Sequence, residues 1–145
     1  MSISLKNGFL REQKESVIVG LGWLLGTWKT IGGPDFEYQH WKQQSPIEYS
    51  EIAYSFPAPD TLITQKMNVV KKDGEWEVAL KYPYHPTPLI YKVTALEENT
   101  FTFENYKVGG SYPQKIVYKR NGNILKVSIE EEYISTGLQF EKISE

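Results

Sequence analysis

The sequence predicts an all-β protein, an up-and-down antiparallel barrel of eight to ten strands with a short N-terminal helix. From Leu25 onward, short segments of alternating apolar and polar residues follow one another, separated by Gly, Pro, Asn and Asp, and no helical period intervenes. Aromatic residues make up 14% of the chain, as suits pleated sheets. Tight turns at Asp73-Gly74, Glu97–Asn99 and Asn121-Gly122 join consecutive segments into hairpins.

The 145 residues are enough for one domain, which we place at 17–145, behind a partly ordered leader at 1–16 with a helical turn or two from Phe9 onward. The apolar segment Val17–Trp28 is too short to span a bilayer. Glu12 and Glu15 lie where a signal peptide would carry positive charge. We therefore expect a protein without a membrane span, located in the cytoplasm.

The composition of the chain limits the classes of binding partner and of reactive site that it can have. The 16 basic and 18 acidic residues give a net charge of -2, which offers no reason to expect a nucleic-acid partner. The chain has no cysteine, so disulfides, thiolate metal sites and a cysteine nucleophile are excluded together. Specificity must therefore come from a defined site.

The clearest strand is Glu75–Tyr82, where Trp76, Val78, Leu80 and Tyr82 alternate with more polar residues. Similar alternation marks the remaining segments. In chain order they are Leu25–Ile31, Phe36–Gln43, Glu48–Phe56, Thr61–Lys71, Leu89–Leu96, Thr100–Tyr106, Gln114–Arg120, Asn123–Tyr133 and Leu138–Ile143.

The three turns also predict registers, because a turn of known length fixes which residues face each other. A type I′ turn at Asp73-Gly74 pairs Val69 with Val78, Met67 with Leu80, and Gln65 with Tyr82. A turn at Asn121-Gly122 pairs Tyr118 with Leu125, Ile116 with Val127, Gln114 with Ile129 and, farther out, Tyr112 with Glu131. A three-residue loop at Glu97–Asn99 pairs Ala95 with Phe101, Val93 with Phe103 and Tyr91 with Asn105.

In each hairpin the apolar pairs lie near the turn and the polar or tyrosyl residues lie farther away. In an up-and-down order the three turns share one end of the barrel, and the longer Pro- and Gly-rich loops share the other. This gradient predicts a cup with a plugged floor and a polar mouth. The inward residues near the mouth are the candidate ligand-binding set: Gln65, Tyr82, Tyr91, Asn105, Tyr112 and Glu131.

Glu131 has a special place in this set because an inward carboxylate costs several kcal/mol if it is buried without a partner. Water, a cation or a ligand that donates a hydrogen bond would satisfy it. The alternative is that Tyr112 or another hydroxyl satisfies Glu131 at the rim, with no ligand involved.

The opening W-L-L-G-T-W, Trp23–Trp28, resembles the W-L-x-G-x-W motif of calycin-type barrels, the superfamily of lipocalins, fatty-acid-binding proteins and nitrobindin-like haem barrels. Q-H-W at Gln39–Trp41, and F-E-N followed by Y-P-Q-K-I-V-Y-K-R within Phe103–Arg120, resemble an uncharacterised bacterial calycin-like family with the pattern E-x-W, then F-E-N-x-x-H-D-F-P-x-x-I-x-Y. The resemblance covers nearly the whole chain from Trp23. It adds His40 and Trp41 to the candidate ligand-binding residues.

The chain also departs from that pattern. At the position of the family's His-Asp pair this chain has Gly110-Ser111, after an insertion that follows Asn105. The family's E-x-W motif, in which x is His or another polar residue, begins with an acidic residue, and this chain has Gln39 there. Any chemistry that depends on the His-Asp pair is therefore in doubt. The positions that match are Trp23, Gly26, Trp28, Trp41, Asn105 and Pro113.

The sequence shows no set of catalytic residues. The only histidines are His40 and His85, with no spacing that predicts a metal site, and no nucleophile elbow or phosphate-binding glycine loop is present. No cofactor is indicated. Haem is a secondary alternative, because one axial histidine, His40 or His85, would suffice.

Three function classes stay open. The first is a binding module, a monomer or homodimer, that holds a small apolar or amphipathic molecule inside the barrel. The second is an enzyme of isomerase, cyclase or hydrolase type that uses the same pocket, with Glu131 as the base and Tyr82, Tyr91 or Tyr112 as proton donor. The third is a filled barrel that mediates protein association.

Overall fold

The computed structural model describes residues 20–32, 36–55 and 61–145. These residues form one turn of 3₁₀ helix and ten strands that close into an antiparallel barrel. Each strand pairs with its neighbours in the chain, and β1 pairs with β10 to complete the wall. The elements are the 3₁₀ turn Gly22–Leu24, β1 Gly26–Thr30, β2 Glu37–Ser45, β3 Glu48–Ser55, β4 Leu62–Lys72, β5 Glu75–Lys81, β6 Leu89–Leu96, β7 Thr100–Glu104, β8 Lys115–Asn121, β9 Ile124–Glu130 and β10 Ser135–Ser144.

The predicted all-β class and the closed antiparallel barrel are confirmed. The predicted leader at 1–16, with its helical turn near Phe9, lies outside the described residues. Within them the helical structure is the single 3₁₀ turn, and no helix in these ranges is long and apolar enough to cross a membrane.

One end of the barrel is closed by apolar side chains and an arginine. Leu21 and Leu24 are fully buried there, and the Trp28 indole Nε1 donates a hydrogen bond to the Leu24 carbonyl at 2.9 Å. The Arg120 guanidinium lies 5.2 Å from the Trp28 ring centroid, and its Nη1 donates to the Trp23 carbonyl at 2.6 Å. This end is therefore the floor of the cup.

Aromatic side chains fill the interior above the floor. Trp41 meets Tyr118 edge-on, with ring centroids 5.6 Å apart, and Phe101 packs against Phe103 at 5.3 Å. All four side chains are buried. Such pairs add stabilisation beyond the area they bury, so this layer is the rigid core of the barrel.

The Asp73-Gly74 hairpin has the predicted register. Val69 pairs with Val78, and Met67 with Leu80. Asp73 and Gly74 both have positive φ, at 50° and 82°, as a type I′ turn requires.

The predicted register of the β8–β9 hairpin is wrong by two residues. Tyr118 pairs with Val127 rather than with Leu125, and Ile116 pairs with Ile129 rather than with Val127. A shift of two residues keeps every side chain on its predicted face, because side chains alternate with a period of two.

The turn itself explains the shift. Asn121 pairs with Ile124, so the two loop residues are Gly122 and Asn123, and Gly122 has a φ of 64°. Glycine at the first central position is the signature of a type II′ turn, whereas the predicted type I′ turn would place Gly122 second.

The β6–β7 hairpin combines two registers, and one of them is the predicted one. Next to the turn, Leu96 pairs with Phe101 and Ala95 with Thr102, so the predicted pairing of Ala95 with Phe101 is wrong. A bulge between Val93 and Ala95 absorbs one residue, and Val93 then pairs with Phe103 as predicted.

The predicted pairing of Tyr112 with Glu131 is also wrong. The β8–β9 ladder ends at Lys115 and Glu130, and the Glu131 amide donates to the Ile134 carbonyl at 2.8 Å in the turn that leads to β10. Glu131 is therefore a turn residue that lies half-buried beyond the end of the strand.

Candidate functional site

A cavity of about 260 Å³ lies inside the barrel at the end opposite the floor. Its lining comes mainly from the parts of the strands near the longer loops: the beginnings of β2, β4 and β8, the ends of β3 and β9, one residue of β10, the residue after β5, and Pro113, two residues before β8. The lining residues are Glu37, Gln39, Ala53, Thr64, Gln65, Tyr82, Pro113, Ile116, Tyr118, Val127, Ile129 and Leu138.

The small side chain of Ala53 helps to create this space. Ala53 pairs with Gln39 on β2 and with Gln65 on β4, so the three side chains lie side by side on the inner face. A methyl group between two longer amide side chains leaves volume that no neighbour fills. The opposite wall is apolar, with Ile116, Val127, Ile129 and Leu138.

Glu51 lies on the same face of β3, one inward position closer to the floor than Ala53, and only 1% of it is exposed. Its carboxylate oxygens accept hydrogen bonds from the Gln65 amide Nε2 at 3.2 and 3.5 Å. No cationic side chain within the described ranges forms an ion pair with Glu51. Glu51 is thus a buried carboxyl group directly behind a residue that lines the cavity.

Burial raises the pKa of Glu51 to about 8, because the charged form loses its hydration. The hydrogen bond from Gln65 lowers this pKa, but by less than burial raises it, and the charge of Glu37 raises it further. Burial also raises the pKa of Glu37 itself. Both carboxyl groups therefore favour their protonated forms more strongly than a carboxyl group in water.

Tyr118 and Gln39 complete the polar side of the cavity. Burial raises the pKa of the Tyr118 hydroxyl, and the charge of Glu51 raises it further, whereas interaction with the Gln39 side chain lowers it. The Gln39 Oε1 accepts a hydrogen bond from the Trp41 indole at 3.1 Å. The amide of Gln39 is therefore oriented by the aromatic core beneath it.

Rings from two loops pack together at the mouth. Tyr82 stacks on Tyr84 at a centroid distance of 5.5 Å and lies 5.9 Å from Tyr112. The Tyr112 ring also contacts His85 edge-on at 5.3 Å. These contacts join the loop after β5 to the loop before β8, at the rim where Tyr82 enters the cavity wall.

The structure brings some of the sequence-predicted site residues together at this end. Gln65 and Tyr82 line the cavity, and Tyr112 packs on Tyr82 at the mouth. The charge of Glu131 contributes to raising the pKa of Tyr82, although burial of Tyr82 is the larger cause. Tyr91 is fully buried behind the wall, where its hydroxyl donates to the Pro113 carbonyl at 2.7 Å.

The other three predicted residues lie elsewhere among the described residues. The Asn105 amide Nδ2 donates to the Ile90 carbonyl at 2.7 Å, and its Oδ1 accepts from the Lys107 amide, so Asn105 fixes a loop. Trp41 belongs to the aromatic core. His40, between two inward residues, is on the outer face, where its Nδ1 lies 2.7 Å from the Thr27 hydroxyl.

Sequence reasoning missed Glu51, Glu37 and the other contributions of β2 and β3. The segment Glu48–Ser55 is recognisable as a strand, but its inward face depends on its partners. The turn at Pro46-Ile47, which joins β2 to β3, pairs Ser45 with Glu48, but the register shifts by one residue between Ser45 and Gln43 before Gln39 pairs with Ala53. The turn by itself would pair Gln39 with the wrong residue, so it does not predict which side chains of β3 face inward.

Within the described ranges, no group of three or more His, Asp or Glu side chains could hold a metal ion. Neither histidine lines the cavity, so neither is placed to ligate a haem there. The His85 Nδ1 lies 2.7 Å from the Thr87 carbonyl, within its own loop. The site is therefore described by its carboxyl, amide and phenol groups.

Comparison of the chain with protein-family models, with curated proteins and with solved structures gives no significant match. A functional proposal therefore rests on the barrel and on the residues of its cavity.

Proposed function

We propose that this protein is a small-molecule-binding barrel that holds a compact amphipathic ligand in the cavity between the aromatic core and the mouth. The observation that carries the proposal is the cavity itself, an interior space of about 260 Å³ in a barrel whose other end is filled. Ligand pockets are typically concave, with apolar walls and a few polar groups that converge on one side, and this cavity has that composition.

The apolar wall and the polar wall of the cavity would contribute differently to ligand binding. The apolar wall of Ile116, Val127, Ile129 and Leu138 would supply most of the affinity, at about 25 cal/mol per Å² of apolar surface removed from water. Each hydrogen bond to the polar wall would add roughly 0.5 to 1.5 kcal/mol. Polar contacts would therefore determine the orientation of the ligand more than its affinity.

We also propose that the barrel is an up-and-down barrel of the calycin type. The W-L-L-G-T-W segment, Trp23–Trp28, lies at the closed end, and Trp28 packs across the floor. Gly26 has a φ of 112°, and a Cβ there would clash with the Ser144 carbonyl oxygen, so the backbone at this position requires glycine. These features support the resemblance found in the sequence.

A second candidate function is favoured by one observation, the buried carboxyl group of Glu51. A carboxylic acid with a pKa near 8 can exchange a proton at neutral pH, as an acid–base residue of an isomerase-type enzyme must. In this alternative Glu51 takes the role that the sequence suggested for Glu131. Gln65 separates Glu51 from the cavity, so proton transfer would require Gln65 to move.

Binding can be tested with N-phenyl-1-naphthylamine, a neutral apolar dye whose fluorescence rises in an apolar site. We expect the protein to bind it with a Kd in the micromolar range. Ile129→Trp places an indole in the cavity and should weaken binding by at least about tenfold, or about 1.4 kcal/mol.

The matched control is Ser128→Trp, which places the same ring one residue away on the exposed face of β9. It should leave the Kd unchanged. Equal affinities for the wild type and Ile129→Trp would show that the dye binds outside the cavity and would contradict the proposal.

A further inference from the structure

The ionisable groups of the cavity are one-sided. Glu37 is the acidic residue among its lining residues, and Glu51 lies behind Gln65, so two carboxyl groups lie on the same side of this space, on β2 and β3. No Lys, Arg or His is among the lining residues. The other titratable groups that face Glu51 are the phenols of Tyr82 and Tyr118.

The polar wall of the cavity also has more hydrogen-bond acceptors than donors. In its ionised form the Glu51 carboxylate can accept about four hydrogen bonds, and the one side-chain donor that it has within the described ranges is the Gln65 amide. Gln39 already uses its Oε1 to accept from Trp41. The polar wall is therefore rich in acceptors whose remaining lone pairs call for donors.

We propose that the ligand carries a cationic nitrogen head group, an organic ammonium or amidinium on a small apolar body, that Glu37 and Glu51 are its counter-ions, and that Glu51, which Gln65 separates from the cavity, releases its proton to water when the cation binds. This inference rests on the proposed binding function and specifies its ligand class. A cation would supply both the positive charge and the N–H donors that the polar wall lacks. The rings of Tyr82 and Tyr118, which also line the cavity, are suited to lie beside such a cation.

Other head groups fit less well. An anionic ligand would find no basic residue in the lining, and Glu37 or Glu51 in its ionised form would repel it, since like charges in a poorly hydrated space repel strongly. A neutral hydrogen-bond donor would satisfy lone pairs but would gain nothing from ionisation of the two carboxyl groups. The described residues form no metal-binding cluster, which favours an organic cation over a metal ion.

The test uses three probes that share a naphthalene ring and differ in charge: 1-naphthylmethylamine, 1-naphthylmethanol and 1-naphthoate. Each competes at pH 7 with N-phenyl-1-naphthylamine on the full-length protein. We expect the amine to bind at least about tenfold more tightly than the alcohol, and the carboxylate to bind most weakly.

The isosteric variant Glu51→Gln cannot ionise and keeps the shape of the side chain. It should reduce the preference for the amine over the alcohol to below about threefold, while binding of the alcohol changes little. The control Glu141→Gln removes an exposed carboxyl group on the outer face of β10 and should keep the full preference. Because the readout is a ratio of two affinities, a general loss of folded protein cancels.

Three kinds of result would overturn the inference in whole or in part. Equal binding of amine and alcohol, or tightest binding of the carboxylate, while the neutral dye still binds, would refute the cationic head group and leave the binding function standing. Failure of the dye and of all three probes would refute both proposals. A full preference for the amine in Glu51→Gln would also exclude Glu51 as its counter-ion.

Discussion

Glu51 is the residue whose environment differs most from what its chemistry prefers. Its carboxyl group is fully buried, and within the described ranges its hydrogen-bond partner is Gln65, with no ion pair. Keeping a charge there costs free energy, so the native protein holds the Glu51 proton up to a pH of about 8. Stability is therefore linked to pH through this group.

The sign of the linkage follows from the raised pKa. Between about pH 4.5, where this group ionises when unfolded, and about pH 8, the native state binds more protons than the unfolded state. The free energy of unfolding should therefore fall as pH rises across this window, by up to about 1.4 kcal/mol per pH unit from this group. The raised pKa of Glu37 acts in the same direction.

Glu51→Gln should flatten this dependence. We expect the variant to be more stable than the wild type at pH 8, by an amount that shrinks towards pH 5. Urea unfolding at several pH values measures the difference. Glu141→Gln should follow the wild-type curve, and a Glu51→Gln curve parallel to the wild type would show that Glu51 does not carry a raised pKa.

Among the elements, the hairpins show what short-range sequence can and cannot specify. The Asp73-Gly74 turn sets its register as predicted, because both residues adopt the positive φ that a type I′ turn needs. At Asn121-Gly122 the same composition forms a turn one residue later. A glycine suits either position, so local sequence does not choose between the two turns, and the packing of β8 and β9 in the barrel does.

The β8–β9 turn gives a direct prediction. Gly122→Ala should destabilise the protein by about 1 kcal/mol, because its φ of 64° is costly for a residue with a Cβ. Asn121→Ala should cost less than about 0.5 kcal/mol, since Asn121 ends a regular strand here. Thermal or urea unfolding of both variants provides the measurement, and a larger effect at Asn121 would favour the type I′ turn instead.

The bulge between Val93 and Ala95 is a second element that the sequence left open. The apolar pattern favoured a three-residue loop, because that loop pairs Val93 with Phe103. The strands satisfy this pairing and still form a tighter turn, by placing an extra residue in β6. Apolar patterning specifies the face of each strand more firmly than it specifies the loop.

Across the whole molecule, one end of the barrel is tightly packed and the other end contains the cavity. The floor contains the 3₁₀ turn, Trp28 and Arg120, and the mouth contains the cavity and the packed rings around Tyr82. The aromatic core lies between them. This separation predicts that stability and ligand binding can be changed independently.

Arg120→Met tests that separation at the floor. The variant keeps an aliphatic stem but loses the hydrogen bond to the Trp23 carbonyl and the contact of its charge with the Trp28 ring. We expect a loss of about 1 to 3 kcal/mol in the free energy of unfolding. The Kd for N-phenyl-1-naphthylamine should stay within about twofold of the wild type. A large change in the dye affinity at full folding would mean that floor and mouth are coupled.

Local sequence specifies the all-β class, most strand positions and the alternation of inward and outward side chains, because these depend on residues only two positions apart in the chain. It also indicated that the polar inward residues gather at the end away from the tight turns. The proximity of Glu37, Glu51 and Gln65 to Tyr118 depends instead on tertiary structure, because barrel closure and the register between strands far apart in the chain bring them together. The cavity likewise depends on the volumes of side chains from several strands, so no single segment specifies it.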